Sequence, residues 1–89
     1  MKNKLEDLRK KIDKIDEKII ILLVKRMKIV KNVGKHKKEK NIQFFDKKRW
    51  QKLIKSKRLL AVKYNLSEKL IEEIWELIHN EALKIEKSI

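Results

Sequence analysis

One seam of large aliphatic residues constrains this chain more than any other feature. Leu5, Leu8, Ile12, Ile15, Ile19 and Leu22 recur at alternating spacings of three and four, the heptad signature of a helix that packs lengthwise along another helix. The next seam position in that register is Arg26, after which the seam resumes at Ile29 and Val33. A guanidinium on an apolar stripe is costly to bury unless it meets an anion. Either the stripe drifts and Arg26 snorkels to water, or Arg26 marks an anion site, and the spacing alone leaves both open.

A chain of 89 residues has room for one small domain, spanning 1–89, with a modest core, so dimerisation is expected. Proline is absent, there is a single glycine, and charged residues make up 44%, which points to an all-α protein. The absence of cysteine excludes disulfides and thiolate metal sites. The N-terminal stretch is charged and no apolar run approaches a membrane span, so the chain reads as a cytoplasmic protein that does not enter a membrane.

The formal net charge of +13 fits nucleic acid, an anionic membrane surface, or a small anionic substrate drawn in by the field. Residue choice narrows this. Of the 26 basic residues only Arg9, Arg26, Arg49 and Arg58 are arginine. In a lysine-rich chain, arginine is favoured where a planar fork must meet a carboxylate or phosphate.

In chain order, Met1 to Lys4 reads as a frayed start and a first helix runs from about Leu5 to Lys38. Its centre, Ile19 to Val24, is apolar all round and calls for cover on more than one side. Gly34, inside the helical pattern, marks either close packing or a weakening helix end. Lys37 follows Arg26 by eleven residues, three turns with little angular drift, so the two share a face about 16 Å apart. Arg9 lies seventeen residues before Arg26, about 25 Å away on a straight helix. If two copies of the helix pair antiparallel about Ile20, Arg9 of one chain arrives opposite the Arg26–Lys37 interval of the other, giving two shared sites per dimer.

Asn41 to Phe45 reads as a loop in which Ile42, Phe44 and Phe45 cap the core. Asp46 suits the N-cap of a second helix running to about Tyr64, with Trp50, Leu53, Ile54, Leu60 and Ala61 inward. Arg49 falls in its first turn, where the helix dipole disfavours a cation. Asn65 suits a C-cap and Ser67 the N-cap of a third helix, Ser67 to about Lys87, whose apolar stripe is Ile71, Trp75, Ile78, Ala82 and Ile85. From pattern alone Glu86 reads as a frayed, solvated terminal residue. His36 and His79 have no second ligand at metal-binding spacing, so no metal site is expected.

Taken together these pieces resemble the all-helical (AroQ-type) chorismate mutases over essentially the whole chain. Leu8-Arg9-Lys10-Lys11-Ile12-Asp13 with Ile15-Asp16 and Ile19 resembles the family's "LRxxID-xID-xxI" opening. Leu22 to Arg26 resembles "LLxxR", Val33 to Lys37 "VGxxK", and Asp46 to Arg49 "DxxR"; the helix after Leu66-Ser67 ends near a Glu where the family carries Gln or Glu. The resemblance implies three helices per chain in an intertwined antiparallel homodimer that takes the dianion chorismate and needs no cofactor. It implies that Arg9 of the partner chain, Arg26 and Arg49 grip the two substrate carboxylates. By the same resemblance, Lys37 and Glu86 reach the ether oxygen from opposite sides, and Asp46, Trp50 and Ala82 line the substrate site.

Two positions depart from the family pattern. The residue after the Arg of "DxxR" is usually Glu, contacting the ring hydroxyl, and is Trp50 here; a Ser common four residues before the terminal Gln or Glu is Ala82. Both changes remove polar contacts at the ring end of the substrate. Isochorismate pyruvate lyase and aminodeoxychorismate mutase, built on the same scaffold, are therefore alternatives to a chorismate mutase of aromatic amino-acid biosynthesis. A basic helical module that binds nucleic acid or a partner helix is the alternative of another class, and Arg26 on the seam argues against it.

Overall fold

The computed structural model describes residues 3–89 and contains three α-helices: α1, Lys4–Glu39; α2, Lys47–Lys63; and α3, Glu68–Lys87. All-α architecture follows, with no strand among the described residues. Helix boundaries fall within a residue or two of those read from the sequence. Of the expected frayed start, Met1 and Lys2 lie outside the described residues and Lys4 is already helical. The physical reason is a cap: Asn3 Oδ1 accepts a hydrogen bond from Leu5 N–H at 2.9 Å, satisfying one of the orphan donors of the first turn.

The other ends are set by equally local chemistry. Asp46 Oδ1 accepts from Arg49 N–H at 3.0 Å and Ser67 Oγ from Leu70 N–H at 3.2 Å, so both predicted N-caps hold. In a chain nearly without glycine, two asparagines stop the helices. Asn41 and Asn65 take φ of 55° and 58°, the left-handed conformation that asparagine tolerates better than most residues. Beyond them Ile42 N–H reaches Lys37 O, and Leu66 N–H reaches Ala61 O, each at 2.8 Å. These are Schellman closures, which turn the chain sharply after α1 and α2.

α3 is the element that packs against both of the others. The buried apolar residues are few, Leu53, Ile54, Ala61 and Ala82, and they lie where α2 meets α3 and where α3 faces α1. On α3 the predicted stripe is partly covered, with Ile71, Trp75, Ile78 and Ile85 half-buried. Three expected core residues are not core in the single chain: Ile42, Phe45 and Leu60 are 49%, 47% and 40% exposed. Each sits on the rim of a bundle too thin to have a second layer.

The molecule measures 62 × 27 × 15 Å, and its long dimension is α1. α3 packs along only the C-terminal half of that helix, with α2 on its far side. From Leu8 to Leu22 every α1 residue is exposed, the seam residues Ile12, Ile15 and Ile19 included. Of the apolar centre expected to be covered on several sides, Leu23 alone is half-buried. Covering such side chains contributes on the order of 1 kcal/mol each, and one chain leaves that contribution unclaimed.

Candidate active site

Each helix supplies one face to a cavity of about 230 Å³. On α1, Arg26, Val30, Val33 and Lys37 follow at spacings of four, three and four, a single helical face. α2 contributes its first two turns, Arg49, Trp50 and Leu53, with the capping Asp46. α3 contributes His79, Ala82 and Glu86, again at spacings of three and four, and Phe44 closes the loop side.

Arg26 does not snorkel. Its NH1 nitrogen is buried without a hydrogen-bond partner, and the guanidinium is pushed below its ordinary pKa, first by burial and then by repulsion from Arg49. Two guanidiniums thus bear on one space, and among the described residues neither is in an ion pair with a carboxylate, a constellation that lowers its energy by admitting an anion.

Lys37 and Glu86 meet at the α1–α3 side of the cavity. Lys37 Nζ donates to the carbonyl oxygen of Phe44 at 2.6 Å and lies 2.8 Å from Glu86 Oε1. Glu86 is 5% exposed, so the solvated residue read from pattern alone is corrected: α3 carries it inward against α1. Its Oε1 is within ion-pair distance of the ammonium yet receives no hydrogen bond of proper geometry. The contact is chiefly charge attraction, leaving hydrogen-bonding capacity on the oxygen. Lys37 and Glu86 touch directly, with no gap between them for a substrate oxygen.

At the opposite wall the His79 ring stacks on Trp50, centroids 4.3 Å apart and planes 25° from parallel, and meets Phe45 edge-on at 5.9 Å. His79 Nε2 is buried and unpartnered. Burial is the main reason its imidazole is pushed below the ordinary value; Glu86 acts in the opposite direction, while Arg26 and Lys37 add to the lowering.

The sequence-predicted residues Arg26, Lys37, Asp46, Arg49, Trp50, Ala82 and Glu86 are therefore neighbours around one cavity. Arg9 is not among them: it is exposed on the bare half of α1. Arg58, the fourth arginine, pairs with Glu72 on the α2–α3 surface, so arginine usage pointed to the site for two residues within the chain and to a surface ion pair for another. His79 was considered only as a metal ligand and missed as a lining residue. Its position four residues after Trp75 and three before Ala82, both on the inward stripe, was the available signal. Among the described residues no group of three or more His, Asp or Glu side chains is gathered as a metal site, and no helix is long and apolar enough to cross a membrane.

Comparison with known proteins agrees with this geometry. The sequence profile of the family described as chorismate mutase type II matches residues 8–87. The chain is 34% identical over 86 residues to the chorismate mutase of Methanocaldococcus jannaschii, covering 94% of this chain and 87% of that protein. It is 36% identical over 70 residues to the T-protein of Haemophilus influenzae, covering 79% of this chain but 19% of that longer protein. A bifunctional chorismate mutase/prephenate dehydratase of Buchnera aphidicola is 32% identical over 98% of this chain and 23% of its own length. Among solved structures, a conserved hypothetical protein from Pyrococcus furiosus superposes with a TM-score of 0.72 at 35% identity, covering 97% of this chain and 99% of that one. With its three-helix fold and its cation-lined cavity, the chain belongs to the chorismate mutase type II family.

Proposed function

We propose that this chain catalyses the rearrangement of chorismate to prephenate, as a cytoplasmic homodimer whose two sites are shared between chains. The observation that carries this reading is the convergence of Arg26, Arg49, Lys37 and Glu86 on one cavity, with three cations against the two carboxylates of Asp46 and Glu86. Asp46 is engaged as a helix cap and Glu86 faces Lys37, so the arginine pair is free to take a dianion.

The reaction breaks one C–O bond and forms one C–C bond within a single molecule, so no group is transferred to the protein. Catalysis then comes from holding the reactive conformer and from donors aimed at the ether oxygen, which gains negative charge as its bond to the ring breaks. Arg26 and Arg49 bind the carboxylates. Lys37 donates to a carboxylate and to the ether oxygen, and Glu86 donates to that oxygen when protonated. Substrate entry parts the Lys37–Glu86 contact.

The bare seam of α1 supports the dimer. An apolar groove lined by Ile19, Leu22, Leu23, Ile74, Trp75 and Ile78 runs directly on from Arg26, continuous with that seam and of the chemistry a second copy of α1 would cover. In the antiparallel arrangement Arg9 of the partner brings a further cation to the site.

The test is a chorismate assay on the purified chain and on Arg26→Ala, Arg9→Ala and a mixture of the two variants refolded together. Turnover to prephenate that falls at least 100-fold in either variant and returns to about a quarter of wild type in the mixture, where half the dimers carry one intact site, supports both the activity and the sharing. Absence of turnover by the wild-type chain refutes the activity; absence of recovery in the mixture refutes the sharing. Isochorismate run in parallel, with pyruvate as the readout, separates the lyase.

A further inference from the structure

Three buried side-chain polar atoms among the described residues lack a hydrogen-bond partner, Arg26 NH1, Glu86 Oε1 and His79 Nε2, and all three belong to residues lining the same cavity. Buried polar groups are otherwise almost always satisfied, so each such atom asks what completes it. For Arg26 and Glu86 the proposed function answers: a carboxylate and an ether oxygen. His79 is left over.

We propose that His79 Nε2 recognises the ring hydroxyl of the substrate and so sets which ring the site accepts, an inference that rests on the mutase reading. Its location comes from two neighbours. His79 is stacked on Trp50 and lies one turn before Ala82 on α3, the two positions at which the resemblance to the family implies that polar contacts to the ring end are missing. Glu86 is a further turn along the same face, so the ether-oxygen end and the His79 end are about 10 Å apart along the helix. That separation suits a ring held between them.

The plane of the imidazole is held by its neighbours: Trp50 stacks on it and the Phe45 ring meets it at 61°, while Nε2 stays buried without a protein partner. Burial, with Arg26 and Lys37 nearby, outweighs Glu86 and pushes the imidazole below its ordinary value, which favours the neutral ring. A neutral imidazole presents one N–H and one lone pair. A hydroxyl can donate or accept and satisfies Nε2 in either tautomer, whereas a carboxylate satisfies only the N–H form and is better held by the guanidiniums. The role is specificity rather than bond breaking, since a site built to hydrogen-bond a hydroxyl discriminates strongly against a ring that lacks it.

The experiment compares wild type, His79→Phe and His79→Gln on chorismate and on the analogue in which hydrogen replaces the ring hydroxyl. Phenylalanine keeps a flat ring on Trp50 and removes the nitrogen; glutamine restores a group that can donate or accept. The expected result is a loss of about 10–100-fold in kcat/KM for chorismate in His79→Phe. The same variant should equal wild type on the deoxy analogue within about threefold, and His79→Gln should recover most of the loss. An equal loss on both substrates, or no loss on chorismate, overturns the assignment; the first outcome indicates a packing role only. If wild type turns over neither compound, the mutase reading fails first and is seen to fail separately.

Discussion

Gly34 of α1 lies so close beneath Glu86 of α3 that a Cβ built on it would stand 2.9 Å from Glu86 Cα and 3.2 Å from Glu86 Cβ. The first of these is backbone and cannot rotate away. The height at which Glu86 enters the cavity, and hence its meeting with Lys37, therefore depends on a methyl group that is missing from the facing helix.

Gly34→Ala tests that dependence. Alanine is the better helix former by about 1 kcal/mol, while forcing α3 outward costs roughly 1–3 kcal/mol. The net expectation is a loss of about 1 kcal/mol in thermal or denaturant unfolding with helix content unchanged by circular dichroism. Activity should suffer more than stability, by about tenfold in kcat/KM, because about 1 Å of misplacement is costly to a positioned donor. An alanine variant as active as wild type would show that α3 shifts without carrying Glu86 with it.

Glu86 can be tested as the donor to the ether oxygen. A carboxylate only accepts hydrogen bonds, whereas an amide also donates. Glu86→Gln should therefore keep or raise kcat/KM for chorismate, while Glu86→Ala should lose at least about tenfold. An alanine variant as active as wild type would remove Glu86 from the reaction.

His79 links stability to pH. Its imidazole is pushed below the ordinary value, chiefly by burial, with Arg26 and Lys37 adding to the effect and Glu86 opposing it. As pH drops below about 6.5 the unfolded chain takes up a proton that the folded chain refuses. Stability is thus complete above that pH and is lost as pH falls through the depressed folded value. Denaturant midpoints measured from pH 7.5 downward should show this decline, and it should be shallower in His79→Phe; an identical slope would mean that His79 protonates in place without penalty.

Ile15→Lys places a charge in the middle of the exposed seam, where the single chain loses almost nothing. If a second α1 covers the seam, the substitution should convert a dimer to monomer or unfolded chain by sedimentation analysis and abolish turnover, although residue 15 is far from the cavity. A wild-type-like dimer with full activity would move the subunit interface elsewhere.

The parts of this protein legible in its sequence are those decided locally. Asp46 and Ser67 cap their helices as read, Asn65 closes α2, and the alternation of threes and fours set α1. The single-file spacing of Arg26 and Lys37 put them on the right face because a long helix preserves register. Glu86 was misread from pattern because its burial is set by contact with Gly34, fifty-two residues earlier in the chain. His79 was overlooked for a related reason: its partner Trp50 comes from another helix, and stacking leaves no trace in spacing. Ile42, Phe45 and Leu60 failed as core residues since hydrophobicity alone does not say how many layers a bundle has.

The bare half of α1 also bears on how the protein reaches its native state. If a second copy covers the seam, as proposed, the helix has few contacts within its own chain to hold it, and its final consolidation is a collision between two molecules rather than a closure within one. Refolding should then have a second-order phase whose half-time shortens as concentration rises, and chains newly made at low abundance would be vulnerable to proteolysis along Leu8 to Leu22 until they meet.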